Sequence, residues 1–294
     1  MKKSISITIV LLLCISGTVF SQLNPMGSIY YQNQYMANPA LAGITKGWEL
    51  NAAYKAQWTG IKGAPNMQGL TAAYGSENYR TGLGLTVFND KAGIVRTTSV
   101  KATYAYHLQL NNNATKIDFG LSAGILDENV DRPAVIGDPD DPSTANFNTR
   151  KLYLDADFGL ALRTNGLTLQ GTLPNLKRLF KRDLLRNVAD RMLFMAAVAY
   201  RFENEANQLE IEPKVAFRAV ENYKDLIDAG INFGFSENRL MLSGMYHSSG
   251  SVTFGAGTTY KKQFTVLFQY TTNTTDLQRS SNGEAEIALR YNFR

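Results

Sequence analysis

From Trp48 almost to the C-terminus the chain repeats one pattern: apolar and polar residues alternate singly over segments of about ten, with turn-forming residues between them. In the first such segment Trp48, Leu50, Ala52, Tyr54, Ala56 and Trp58 share one face, and Glu49, Asn51, Ala53, Lys55 and Gln57 share the other. A period of two is that of a β-strand, because successive side chains point to opposite faces. Aromatics at both ends of the apolar stripe, with small or aliphatic residues between, suit a wall that faces lipid and meets water at two interfaces.

The same alternation sets Ile117, Phe119, Leu121, Ala123 and Ile125 against Lys116, Asp118, Gly120 and Ser122, and Ala285, Ile287, Leu289, Tyr291 and Phe293 against Glu284, Glu286 and Arg290. Strands are predicted over 48–58, 67–74, 82–88, 97–108, 116–126, 152–163, 166–173, 191–203, 208–219, 226–235, 239–246, 252–260, 263–271 and 283–293. About fourteen strands, an even number, make an all-β fold: an antiparallel transmembrane outer-membrane β-barrel over 48–294.

Connection lengths test this independently. The connections after even-numbered strands are mostly tight, as at Thr164-Asn165, Ser236-Glu237-Asn238 and Lys261-Lys262. The long ones, Asp127 to Lys151, Pro174 to Asp190 and Thr272 to Asn282, all follow odd-numbered strands. Bacterial barrels have short periplasmic turns and longer external loops, so the segregation predicts a periplasmic N-terminus. Asp138-Pro139-Asp140-Asp141-Pro142 prevents a continuous strand in the first long loop. Pro174 to Asp190 has helical spacing of Leu176, Leu179, Phe180, Leu184 and Leu185 among five bases, which fits a short basic amphipathic helix.

The first 21 residues read as a secretory signal: Lys2 and Lys3, an apolar run from Ile5 to Ile15, and Val19-Phe20-Ser21 before the cleavage point. That leaves 22–47 as a periplasmic or lumenal segment ahead of the barrel. Cleavage removes the lone Cys14 and with it disulfide and thiolate chemistry. It also takes Lys2 and Lys3, lowering the formal net charge from +5 to +3. The remaining bases are interleaved with acids, so nucleic acid is not an expected partner. No later stretch reaches the roughly 18 consecutive apolar residues of a membrane-spanning helix.

Candidate chemistry is sparse. His107 and His247 lack the companions of a zinc site and read as lumen or rim histidines; neither a metal nor a cofactor is expected. Asp138, Asp140 and Asp141 could hold calcium, although a solvated acidic loop is the simpler reading. Asp155, Asp157, Glu210, Glu212, Glu284 and Glu286, with Arg163, Arg201, Lys214, Arg218 and Arg290, sit on polar faces. They fit either a selective pore or opposite charges paired inside a filled lumen. No nucleophile elbow, phosphate loop or dinucleotide fingerprint stands in usable context, and His247, Ser248 and Ser249 are neighbours whose side chains diverge on a strand.

Ahead of the first strand stands Tyr31-Gln32-Asn33-Gln34-Tyr35-Met36-Ala37-Asn38-Pro39-Ala40-Leu41-Ala42-Gly43. With Gln57-Trp58-Thr59-Gly60-Ile61-Lys62-Gly63-Ala64-Pro65 and Phe88-Asn89-Asp90-Lys91-Ala92-Gly93, it resembles the PorP/SprF family, outer-membrane proteins of the type IX secretion and gliding systems of Bacteroidota. The resemblance rests on motifs in the first half of the mature chain and on strand pattern thereafter. It singles out Gln34, Tyr35, Met36, Asn38, Pro39, Ala40, Gly43, Gln57, Trp58, Gly60, Gly63, Ala64, Pro65, Asn89, Asp90, Lys91 and Gly93 as family-motif residues. It implies a non-enzymatic barrel that supports secretion or surface anchoring of a large adhesin or other cargo. The implied partners are outer-membrane lipid, a secreted surface protein and type IX secretion components. The rival reading is a channel for small or hydrophobic solutes, and an open lumen would favour it.

Overall fold

The structure is a computed structural model that describes residues 28–58, 63–110, 114–130, 152–176, 192–204, 206, 208–220, 225–272 and 283–293. Its strands are β1 (Gly47–Gln57), β2 (Asn66–Gly75), β3 (Thr81–Ala92), β4 (Val95–Leu110), β5 (Thr115–Val130), β6 (Tyr153–Thr164) and β7 (Leu167–Leu173), then β8 (Met192–Tyr200, resuming as Phe202–Asn204). They continue as β9 (Leu209–Val220), β10 (Leu226–Phe235), β11 (Leu240–His247), β12 (Val252–Tyr260), β13 (Phe264–Thr271) and β14 (Glu284–Asn292). Each pairs antiparallel with its neighbours, and β1 pairs with β14 from Glu49↔Asn292 to Gln57↔Glu284, closing a barrel of 14 strands. Closure leaves no unpaired edge, which a sheet in hydrocarbon requires.

Alternation becomes an inside-out distribution. Outward side chains are apolar and open, as at Leu154 (71% exposed), Phe254 (60%) and Leu121 (52%), while inward Lys55, Asp118 and Asp228 are each 0% exposed. Trp48, Tyr74, Phe235, Tyr260, Phe264 and Tyr291 ring the ends of strands next to the turns that follow even-numbered strands. Tyr246, Phe254 and Tyr270 sit near the opposite ends. These are the two aromatic belts of a bilayer-spanning wall. No described helix is long and apolar enough to cross a membrane.

The tight turns follow local chemistry. Asn165 and Gly166 both adopt positive φ (45° and 85°), the two-residue hairpin turn for which Asn-Gly is suited. The β8 ladder lapses at Arg201, beside the position where β9 carries Pro213, whose nitrogen has no hydrogen to donate. Two expectations need correction. The first long connection does not begin at Asp127, because β5 continues to Val130, paired with β4 up to Val95. The first strand ends at Gln57, and Trp58 turns out of it at φ 47°. The acidic cluster at 138–141 and almost all of the predicted basic helix lie outside the described residues.

Candidate functional site

The lumen holds a segment of the chain itself. Residues 28–46 precede β1 and fold into a 3-10 turn (Ile29–Tyr31), one turn of helix α1 (Gln34–Ala37) and a second 3-10 turn (Pro39–Leu41). Such short turns are marginal alone, so packing holds them. The Asn33 side chain caps α1 by accepting from the Met36 amide, and the Asn38 side chain caps the next turn by accepting from the Ala40 amide at 2.9 Å. Pro39 occupies the first position of that turn, where its missing N–H costs nothing. Gly43 (φ 64°) then bends the chain toward β1, in a conformation that disfavours a side chain.

On one side the segment lies against β2 to β7. Asn38 donates to the Leu160 carbonyl and to Gln170 Oε1, both at 3.2 Å, and Tyr35 donates to Thr103 Oγ1 at 2.8 Å. Asn33 donates to Thr71 Oγ1 at 2.9 Å. Gly120 and Gly159 face Asn38, Pro39 and Ala40 so closely that a Cβ at either position would overlap them. Below, His107 bridges the Ala42 carbonyl (3.1 Å) and Asp118 (2.7 Å), and Arg163 clamps Asp118 with two bonds of 2.5 and 2.9 Å.

On the other side the contacts are charged. Asp228 accepts from Tyr30 (2.6 Å), Arg218 (2.6 Å) and His247 Nδ1 (2.7 Å). Lys214 donates to the Tyr31 carbonyl at 3.2 Å and lies 4.6 Å from the centre of the Tyr31 ring. The Ser28 amide meets both carboxylate oxygens of Glu286 at 2.9 Å. Lys55 pairs with Glu284 at 2.6 Å.

Asp228, His247 and Thr253 stand in relay order, with His247 Nε2 2.7 Å from Thr253 Oγ1. That hydroxyl already meets Thr271 (2.7 Å) and Ser28 (2.9 Å) and is 1% exposed, so a reacting group has no access to it. The arrangement anchors the segment. Among the described residues no three metal-ligating side chains gather.

The family-motif residues fall into two places. Gln34, Tyr35, Met36, Asn38, Pro39, Ala40 and Gly43 form the lumenal segment. Gln57, Trp58, Gly63, Ala64 and Pro65 lie at the β1–β2 connection, beside Asn89, Asp90 and Lys91, since Gln68 pairs with Asn89, Met67 with Asp90 and Asn66 with Lys91. Gly93 makes the β3–β4 turn at φ 61°; Gly60 lies outside the described residues. Gln57 donates to Glu284 at 2.6 Å. The paired lumenal charges were legible as polar-face residues. Asp228 was missed as their hub; its polar position in β10 was the available signal.

The sequence model described as type IX secretion system membrane protein PorP/SprF matches residues 19–291. The chain belongs to the PorP/SprF family. As a PorP/SprF protein it is an outer-membrane β-barrel of the type IX secretion system. Solved barrels share the fold. Omp33 of Acinetobacter baumannii is 8% identical, with 85% of this chain and 100% of that one aligned at a TM-score of 0.50. The CymD monoaromatic hydrocarbon channel is 10% identical over 92% of this chain and 94% of that one, at 0.51. At such identities the likeness is one of fold alone. No curated protein matches the sequence.

Proposed function

We propose that this PorP/SprF barrel is a non-enzymatic, non-conducting scaffold that supports secretion or surface anchoring of a large adhesin or other cargo. In this reading the chain is exported by a signal over 1–21 and inserted with the turns after even-numbered strands in the periplasm. The observation that carries it is the lumenal segment: Tyr30, Tyr31, Ala40 and Leu41 are at most 2% exposed in the space a solute would use. Among the described residues, a cavity beside the start of this segment, lined by Ile29, Gln32, Asn33, Met241 and Leu267, measures about 20 Å³, room for a single water.

The test pairs planar-bilayer recording of the intact protein with co-purification from native outer membranes in mild detergent. A heat-modifiable band that conducts no solute and brings down a large surface protein or secretion components is expected. Solute-dependent conductance by the intact barrel, purified alone, would transfer the function to a channel for small or hydrophobic solutes.

A further inference from the structure

The outer face of the wall is not uniform. Two outward rows cross the β1–β14 seam, Tyr291, Leu50 and Ala72 in one and Leu289, Ala52 and Leu70 in the next. The two alanines sit diagonally on β1 and β2, each paired with a leucine, Ala72 with Leu50 and Ala52 with Leu70. A methyl group where the neighbours carry leucine or tyrosine side chains leaves a step in the surface. The result is an apolar hollow of about 400 Å³, in the size range of sites that hold small molecules. β1, β2 and β3 line it from one side of the seam, and β13 and β14 from the other.

A hollow on this face opens to hydrocarbon, and an empty one would forfeit dispersion contacts of the atoms that line it. Leu50, Leu70 and Tyr291 are all exposed, open to whatever fills the space. The rim next to it says what else the occupant carries. Trp48 and Tyr74, 5.2 Å apart between ring centres, mark the water interface at this end of the wall. Just beyond stand Lys46, immediately before β1, and Lys261 and Lys262 in the turn that leads into Phe264, which also lines the hollow. Lys46 pairs with Glu77 and Lys262 with Glu237, but these are exposed pairs, weak in water. Lys261 lies 5.3 Å from the centre of the Tyr260 ring. An apolar slot running up from a cationic rim complements an acyl chain joined to a phosphate. We propose that the hollow holds one acyl chain of a phospholipid whose phosphate meets these lysines, so that a resident lipid joins the first and last strands across the outside of the seam. Given the orientation under Proposed function, on which the choice of lipid class rests, this rim meets the periplasmic leaflet, where phospholipid is supplied.

Native mass spectrometry of the protein extracted from native outer membranes in mild detergent tests the proposal, with heat-modifiability confirming that each variant is assembled. One phospholipid should remain on the wild-type barrel. Ala52→Leu combined with Ala72→Leu fills the hollow and should remove it, and Lys261→Gln with Lys262→Gln should lower its retention. Ala229→Leu, outward on β10 and outside the hollow, should keep it. A wild-type barrel that carries no phospholipid, or a filled variant that keeps it, overturns the proposal. So does a second copy of this chain, or a partner protein, released in place of lipid when the hollow is filled. Lipopolysaccharide at the site would show that the orientation has failed and would overturn the choice of phospholipid with it. Exchange into a detergent that strips lipid should lower the urea midpoint of the wild type and leave that of the filled variant unchanged; an equal fall in both would sink the bridging of the seam. None of these readouts depends on conductance or on cargo, so a failure of the scaffold reading is told apart from a failure of this one.

Discussion

The two walls of the lumen grip the lumenal segment of residues 28–46, a strap across the barrel interior, by different physics. Against β2 to β7 the fit is one of shape: strand glycines let the backbone of Asn38 to Ala40 lie on the wall, and most hydrogen bonds join neutral groups. Against β9 to β14 the fit is one of charge, with Asp228, Arg218, His247, Lys214 and Glu286 closing on Ser28, Tyr30 and Tyr31. Shape complementarity fixes position but tolerates loss of a polar contact. A buried charge network costs much more to leave incomplete, because each ion has given up its water. The first wall decides where the strap lies; the second decides what occupies the lumen.

Breaking the charged wall should have the largest effect. Asp228→Ala removes the carboxylate shared by Arg218, His247 and the Tyr30 hydroxyl and should cost about 3–5 kcal/mol, read as a lowered urea midpoint of the heat-modifiable form. A wild-type midpoint would mean that the network contributes little. Next is the contrast within β5, where Leu121 faces outward at 52% exposure and Gly120 inward beneath Pro39. Leu121→Arg puts a charge into the lipid-facing wall and should cost about 2–4 kcal/mol in a bilayer. Gly120→Val overpacks the strap and should cost about 1–3 kcal/mol. Deleting residues 28–43 should abolish the Gly120→Val penalty while leaving that of Leu121→Arg, measured as a double-mutant cycle. Equal penalties with and without the strap would show that Gly120 serves the strand alone.

That contrast also marks how far the sequence could be read. Strands are legible because lipid and lumen demand opposite chemistry at every second residue, so Phe119 and Leu121 separate from Asp118 and Gly120 without knowledge of the fold. Tight turns are legible where Asn165-Gly166 supplies positive φ. The strap is not, because its turns of three or four residues are too short to establish a period. Gly120 and Gly159 read as weak points of a strand until the backbone opposite them is seen. The charges on polar faces were readable as lumenal, but their partners come from strands far apart in sequence, and Asp228 meeting Tyr30 across 198 residues leaves no local trace.

The finest test compares two tyrosines on the same strap. Tyr35 and Tyr30 are both buried and both donate one hydrogen bond, at 2.8 Å to Thr103 and 2.6 Å to Asp228. Removing the Tyr30 hydroxyl takes a donor from a carboxylate, and Tyr30→Phe should cost about 1.5–3 kcal/mol, the range for a bond to a charged group. Tyr35→Phe removes a neutral bond, and Thr103 keeps Ser122 as a partner at 2.7 Å, so the loss should stay within about 0.5–1.5 kcal/mol. Because the ring and its packing survive in both variants, the difference between their urea midpoints isolates the acceptor. Equal losses would mean that the two walls hold the strap alike, and the division of labour between shape and charge would have to be abandoned.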